Sequence, residues 1–135
     1  MLKELFKKQA ELNKRTGFDP DELRANFDPQ KAGIWLNNYI AAMSNELEEL
    51  RDCTYWKHWC KEAKDGNRFY LHNLQNAKVE VTDMLFFWIS LAQCLGLNAD
   101  EVVRLYEKKL NVNHARQDSN YSMAAKTEDD NKTVV

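Results

Sequence analysis

The sequence predicts an all-α fold, a bundle of about four main helices. Three observations carry this. Apolar residues recur at three- and four-residue spacing over long stretches. Gly (4) and Pro (2) are scarce among 135 residues, so few tight turns can be built and short strands are disfavoured. Helix-start signals at Asp28-Pro29 and Asn98, and stop signals at Gly17 and Gly96, punctuate the chain at long intervals.

The first helix is expected over residues 2–16, with Leu2, Leu5, Phe6, Gln9 and Leu12 at helical spacing. A loop follows through Asp19-Pro20. Asp28 caps a second helix, with Pro29 in its first turn, running into the fifties; Ile34, Trp35, Tyr39, Met43 and Leu47 give it a broad apolar face. A polar connection centred on Gly66 separates it from a third helix over about 69–95. The run Met84 to Leu95 is apolar nearly all round, which implies burial on several sides and, in so small a chain, a dimer interface. Asn98 then caps a fourth helix, with Glu101 as its reciprocal partner.

A chain of this length forms one domain and hides roughly two-thirds of its unfolded surface. The domain is expected over 1–121. Residues 122–135 carry no aromatic residue and no periodicity, and read as a mobile tail. A hydrophobic share of 44% excludes a disordered chain, and a net charge of −2 gives no case for nucleic-acid binding. No segment approaches the ~20 apolar residues of a membrane span, and the first residues are charged rather than apolar. A soluble, cytoplasmic protein with reduced thiols is expected. Zinc on Cys53, His58 and Cys60 has no CxxC pair behind it, so three ordinary thiols are expected.

Two acidic pairs draw the chemistry together. Glu46 and Glu49 are spaced i, i+3, as are Glu80 and Asp83, so each pair lies on one helical face. Converging carboxylates repel and cannot all stay charged in a dry site, unless a hard divalent cation such as Mg²⁺ takes their oxygens. For the first pair alone a solvated acidic face is the more ordinary reading, because charge runs usually face water. The second pair stands in an otherwise apolar stretch, where acids are expensive.

A second cluster ends the fourth helix. Lys109, Asn113, Arg116 and Gln117 share one face, with Tyr121 in register. Cations at a helix C-terminus offset its dipole, but amides and a phenol beside them suit a polyphosphate clamp. In Thr54-Tyr55-Trp56-Lys57-His58-Trp59, two Trp three apart would share a helical face. Core packing is the ordinary role of such a pair. The alternative is a flat wall for a base, with Lys57 turned toward phosphate. Gln9 and Asn13, one turn apart, each offer the donor and acceptor that a pyrimidine edge requires, although helix amides are usually surface residues.

Glu46-x-x-Glu49 followed by Glu80-x-x-Asp83 resembles the metal signature of the all-α NTP pyrophosphohydrolases. That superfamily includes the dimeric dUTPases, the MazG-like enzymes and the phage-type dCTPase-dUTPases. Gln9-x-x-Leu12-Asn13, Thr54-x-Trp56-Lys57-His58-Trp59 and Lys109-x-x-x-Asn113-x-x-Arg116-Gln117-x-x-x-Tyr121 resemble further motifs of the dimeric dUTPase branch, in family order. The resemblance implies a MazG-like helical bundle assembled as a homodimer, its active site between helices. It implies two or more Mg²⁺ on Glu46, Glu49, Glu80 and Asp83, with Glu49 activating water. Gln9, Asn13, Trp56 and Phe87 become the expected base-binding residues. Lys57, Lys109, Asn113, Arg116, Gln117 and Tyr121 become the expected phosphate-binding residues. The expected reaction is hydrolysis of a deoxypyrimidine triphosphate, chiefly dUTP, to the monophosphate and pyrophosphate. The alternatives are a dCTP or dual enzyme, a broader NTP pyrophosphohydrolase, or a non-catalytic helical adaptor. One departure stands out: Phe86 occupies the place, three residues after Asp83, where the family commonly has His.

Overall fold

Two Asp-Pro steps start helices. Asp28 accepts the backbone N–H of Gln30 at 2.9 Å and opens α3 (Pro29–Arg51), as the sequence predicts. Asp19, expected within a loop, accepts the N–H groups of Asp21 (3.1 Å) and Glu22 (3.2 Å) and opens a short helix, α2 (Pro20–Ala25). Six residues are too few to show periodicity; the only apolar anchor in this helix besides Pro20 is Leu23, which is fully buried. The computed structural model describes residues 1–119, 129–132, 134 and 135. Before α2 stands α1 (Leu2–Arg15), and after α3 come α4 (Leu74–Cys94), α5 (Ala99–Asp118) and the one-turn α6 (Asp129–Lys132). The described residues contain no strand, only an isolated antiparallel bridge between Thr54 and Leu71. The fold is all-α.

α3 and α4 form the main packing pair. They run antiparallel, since Glu46 meets Glu80 at one end of the seam and Tyr39 meets Phe87 farther along. An aromatic core fills that farther stretch: Phe18, Trp35, Tyr39 and Phe87 succeed one another at ring-centroid distances of 5.4 to 6.4 Å. A smaller core of Phe6, Ile89, Ala92 and Ala99 holds α1 and α5 on α4.

α4 begins at Leu74, later than the expected 69. Asn73 caps it by accepting the N–H of Asn76 at 3.1 Å. The preceding residues are held instead by the loop after α3: Phe69 N–H bonds Tyr55 O (3.0 Å), Tyr55 N–H bonds Tyr70 O (3.1 Å) and His72 N–H bonds Cys53 O (2.9 Å). The expected connection is a single π-helical turn over Ala63–Asn67, in which Gly66 has φ +95°. The expected burial of Met84–Leu95 holds for only part of the surface: Ile89 and Ala92 are buried, while Leu85, Phe86 and Trp88 are more than 40% exposed in the single chain.

At the end of α4 the chain turns at Gly96, whose φ of +74° lies in the left-handed region that favours glycine. Asn98 caps α5 by accepting the N–H of Glu101 at 2.9 Å. Glu101 does not reach back as a reciprocal cap; its carboxylate pairs with Arg24 of α2. Arg24 also donates to the carbonyl of Gly96, so α2 straps the elbow. The axes of α4 and α5 bend by 98° there. No single helix among the described residues is long and apolar enough to cross a membrane. Within the stretch expected to be a tail, Asn131 accepts a hydrogen bond from Lys109 Nζ at 2.9 Å and Val134 is buried.

Candidate active site

The i, i+3 spacing on two antiparallel helices brings three of the four acids together. One carboxylate oxygen each from Glu46, Glu80 and Asp83 lies within 4.8 Å of the others. Glu80 is buried, Glu46 and Asp83 half-buried. Oε2 of Glu46 and Oε2 of Glu80 are buried without any hydrogen-bond partner. Glu49, one turn beyond Glu46, is exposed and accepts from Asn45 Nδ2 at 3.2 Å. The Glu80 carboxyl is pushed up from 4.5 to about 7, first by the Glu46 carboxyl beside it, then by burial, then by Glu49. Crowded acids with orphaned oxygens are the donor set a hard cation requires, so the residues fit Mg²⁺.

This arrangement gives the metal-free chain a pH signature. A carboxyl whose folded pKa is raised favours the protonated fold, so its penalty is absent below the ordinary value and complete above the raised one. Stability is therefore expected to fall as pH rises from about 4.5 to about 7. Thermal melts across that range should show this slope in wild type and a flatter one in Glu80→Gln. Parallel slopes would remove Glu80 as the cause.

The expected base-binding amides are buried, not on the surface. Gln9 Nε2 donates to Asn13 Oδ1 (3.0 Å), and Asn13 Nδ2 donates to Ser90 Oγ (3.1 Å) and Gln93 Oε1 (3.0 Å). Gln93 Nε2 in turn donates to the carbonyl of Phe6 (3.0 Å). The network ties α1 to α4. Phe87 sits one turn beyond Asp83, its ring against Tyr39. Trp56 and Trp59 do not share a helical face. α3 ends at Arg51, and the pair meets edge to face at 5.9 Å within the following loop. Trp56 Nε1 donates to Asp52 (2.8 Å), and Arg51 and Lys57 stand over its ring at 5.4 and 5.8 Å.

On α5, Lys109, Asn113, Arg116 and Gln117 lie along the last turns, with Arg116 donating to Asn113 Oδ1 at 3.5 Å. The structure does not bring them to the acids of the same chain. From Glu80 to the end of α4, and from the start of α5 to Asn113, the path is about 20 Å each way at the usual helical rise. With a 98° bend between those arms, the two clusters lie on the order of 30 Å apart.

A family model described as dUTPase matches residues 1–93 and, in a second segment, 71–121. The chain belongs to the dUTPase family. A dCTP pyrophosphatase of Enterobacteria phage LZ5 is 30% identical over 104 residues, which are 64% of this chain and 60% of that protein. The chain thus spans less than two-thirds of that relative's length. No solved structure matches it. The dUTPase match takes in all four motif groups and ends at Tyr121, which lies outside the described residues.

Sequence reasoning missed two members of the network in this dUTPase-family chain. Ser90 and Gln93 are polar interruptions of the apolar run after Met84, and that is the signal that could have marked them. Tyr39 was legible only as one apolar residue of the α3 face.

Proposed function

We propose that this dUTPase-family chain hydrolyses dUTP to dUMP and pyrophosphate with Mg²⁺ held by Glu46, Glu49, Glu80 and Asp83. The observation that carries the reading is the meeting of Glu46, Glu80 and Asp83 with two orphaned oxygens on the α3–α4 seam. When bound, the cation supplies charge neutralisation on the phosphate oxygens and acidifies a water. Glu49, exposed beside the cluster, accepts the proton of the attacking water as the α–β phosphoanhydride breaks and pyrophosphate leaves. Phe87, Gln9 and Asn13 define the base end of the seam. Lys57, Lys109, Asn113, Arg116, Gln117 and Tyr121 bind phosphate.

The estimated separation of α5 from the acids exceeds the length of a triphosphate several-fold. We infer that the chain works as a two-fold dimer in which α5 of one protomer serves the acids of its partner. The exposed apolar surface of Leu85, Phe86 and Trp88 supports such an interface.

A dCTP or dual dCTP/dUTP activity is the second reading, favoured by the dCTP pyrophosphatase name of the phage relative. Pyrophosphate release from the common ribo- and deoxyribonucleoside triphosphates plus dUTP, with and without Mg²⁺, decides between them. The expected result is Mg²⁺-dependent turnover confined to deoxypyrimidines. No turnover of any nucleotide would sink the enzyme and leave the adaptor.

A further inference from the structure

The acids are not the last rung of the α3–α4 seam. On α3, Glu46 and Glu49 stand at i and i+3, and Cys53, just past the helix end, continues their row at i+7. On α4, Asn76, Glu80 and Asp83 stand at i, i+4 and i+7. Because the helices run antiparallel, Cys53 comes to face Asn76, about one turn beyond the carboxylates. The two side chains meet there: Asn76 Nδ2 donates to Cys53 Sγ at 3.4 Å.

Cys53 is anchored by its backbone as well. Its N–H donates to the carbonyl of Leu50 at 3.0 Å, and its own carbonyl accepts the N–H of His72 at 2.9 Å. Its thiol donates to the carbonyl of Glu49 at 3.6 Å. The residue is only 2% exposed, so water does not compete for these bonds. Asn76 belongs to the capped first turn of α4, its N–H on Asn73 Oδ1 at 3.1 Å, one turn before Glu80. A single contact thus ties the backbone of Glu49 to the turn that leads into Glu80. The thiol is not itself a ligand of the cluster: a soft sulfur suits Mg²⁺ poorly, and its proton is committed to the Glu49 carbonyl. Like charges on facing helices push them apart at the acids, while this neutral pair holds them together one step farther on.

We propose that Cys53 and Asn76 are positioning residues for the metal site, their contact setting the separation of Glu49 from Glu80. This rests on the reading that the four acids hold Mg²⁺.

Asn76→Ala is the first test, because Asn76 is exposed and the fold tolerates its loss. In the reduced full chain, calorimetric titration with Mg²⁺ alone is expected to give an affinity roughly three- to tenfold weaker than wild type, less than the loss of a partner bonded directly to a ligand. Cys53→Ala should weaken binding at least as much. The double variant should be no weaker than Cys53→Ala, since both changes remove one contact. Cys53→Ser keeps a donor and an acceptor, and should recover most of the affinity. Wild-type affinity in Asn76→Ala would overturn the proposal, even with a lowered Tm, because the contact would then be structural only. Losses that add in the double variant would overturn it too. If Cys53→Ala fails to fold, Asn76→Ala decides alone. A wild-type chain that takes up no Mg²⁺ would instead overturn the metal reading, and this proposal with it.

Discussion

Glu49→Gln is expected to lower pyrophosphate release from dUTP by two to four orders of magnitude, the range that a positioned general base contributes. A carboxamide neither takes a proton from water nor matches a carboxylate as a ligand for a hard cation. The fold should not change, because Glu49 is exposed and its hydrogen bond from Asn45 belongs to the same helix. The variant should also lose one of the influences that push Glu80 upward. Steady-state kinetics beside a thermal melt checks both halves. Near-wild-type turnover would remove Glu49 from the mechanism.

The second large effect is a recovery. Arg116→Ala is expected to remove the proposed charge-assisted contact to phosphate and lower kcat/KM roughly ten- to a hundredfold, about 1.5–3 kcal/mol. Glu49→Gln alone is expected to be nearly inactive. If α5 serves the partner's acids, a mixed dimer of the two variants holds one site with both residues intact. Equal mixing after reversible dissociation should then restore activity to about a quarter of wild type, since half of the dimers are mixed and each has one good site. If each chain instead serves its own acids, mixing should leave activity at the average of the two variants, and the inferred geometry would fail.

The spacing of Glu46, Glu49, Glu80 and Asp83 was legible in the sequence because i, i+3 pairing is a local property of helices. So were the caps at Asp28 and Asn98, whose signal lies within three residues. What escaped depended on distant segments. The loop after Arg51 looks helical by its Trp spacing, yet it pairs its backbone with residues 69–72, which no local pattern reports. Gln9 and Asn13 look like surface amides until Ser90 and Gln93, some eighty residues away, bury them. The separation of the α5 cluster from the acids was illegible for the same reason: it follows from one angle at one elbow.

That elbow behaves as the pivot of a lever. Arg116 lies about 25 Å along α5 from its first residue at the usual rise of a helix. A rotation of about 10° at Gly96 therefore sweeps the guanidinium through about 4 Å, whereas a displacement of about 1 Å already degrades a catalytic alignment. The orientation of the arm proposed to bind phosphate is thus held far from the proposed contact, at a left-handed glycine and at Arg24, which bonds both the Gly96 carbonyl and Glu101. The six residues of α2 share, through Arg24, in setting where the arm points, together with the small core of Phe6, Ile89, Ala92 and Ala99.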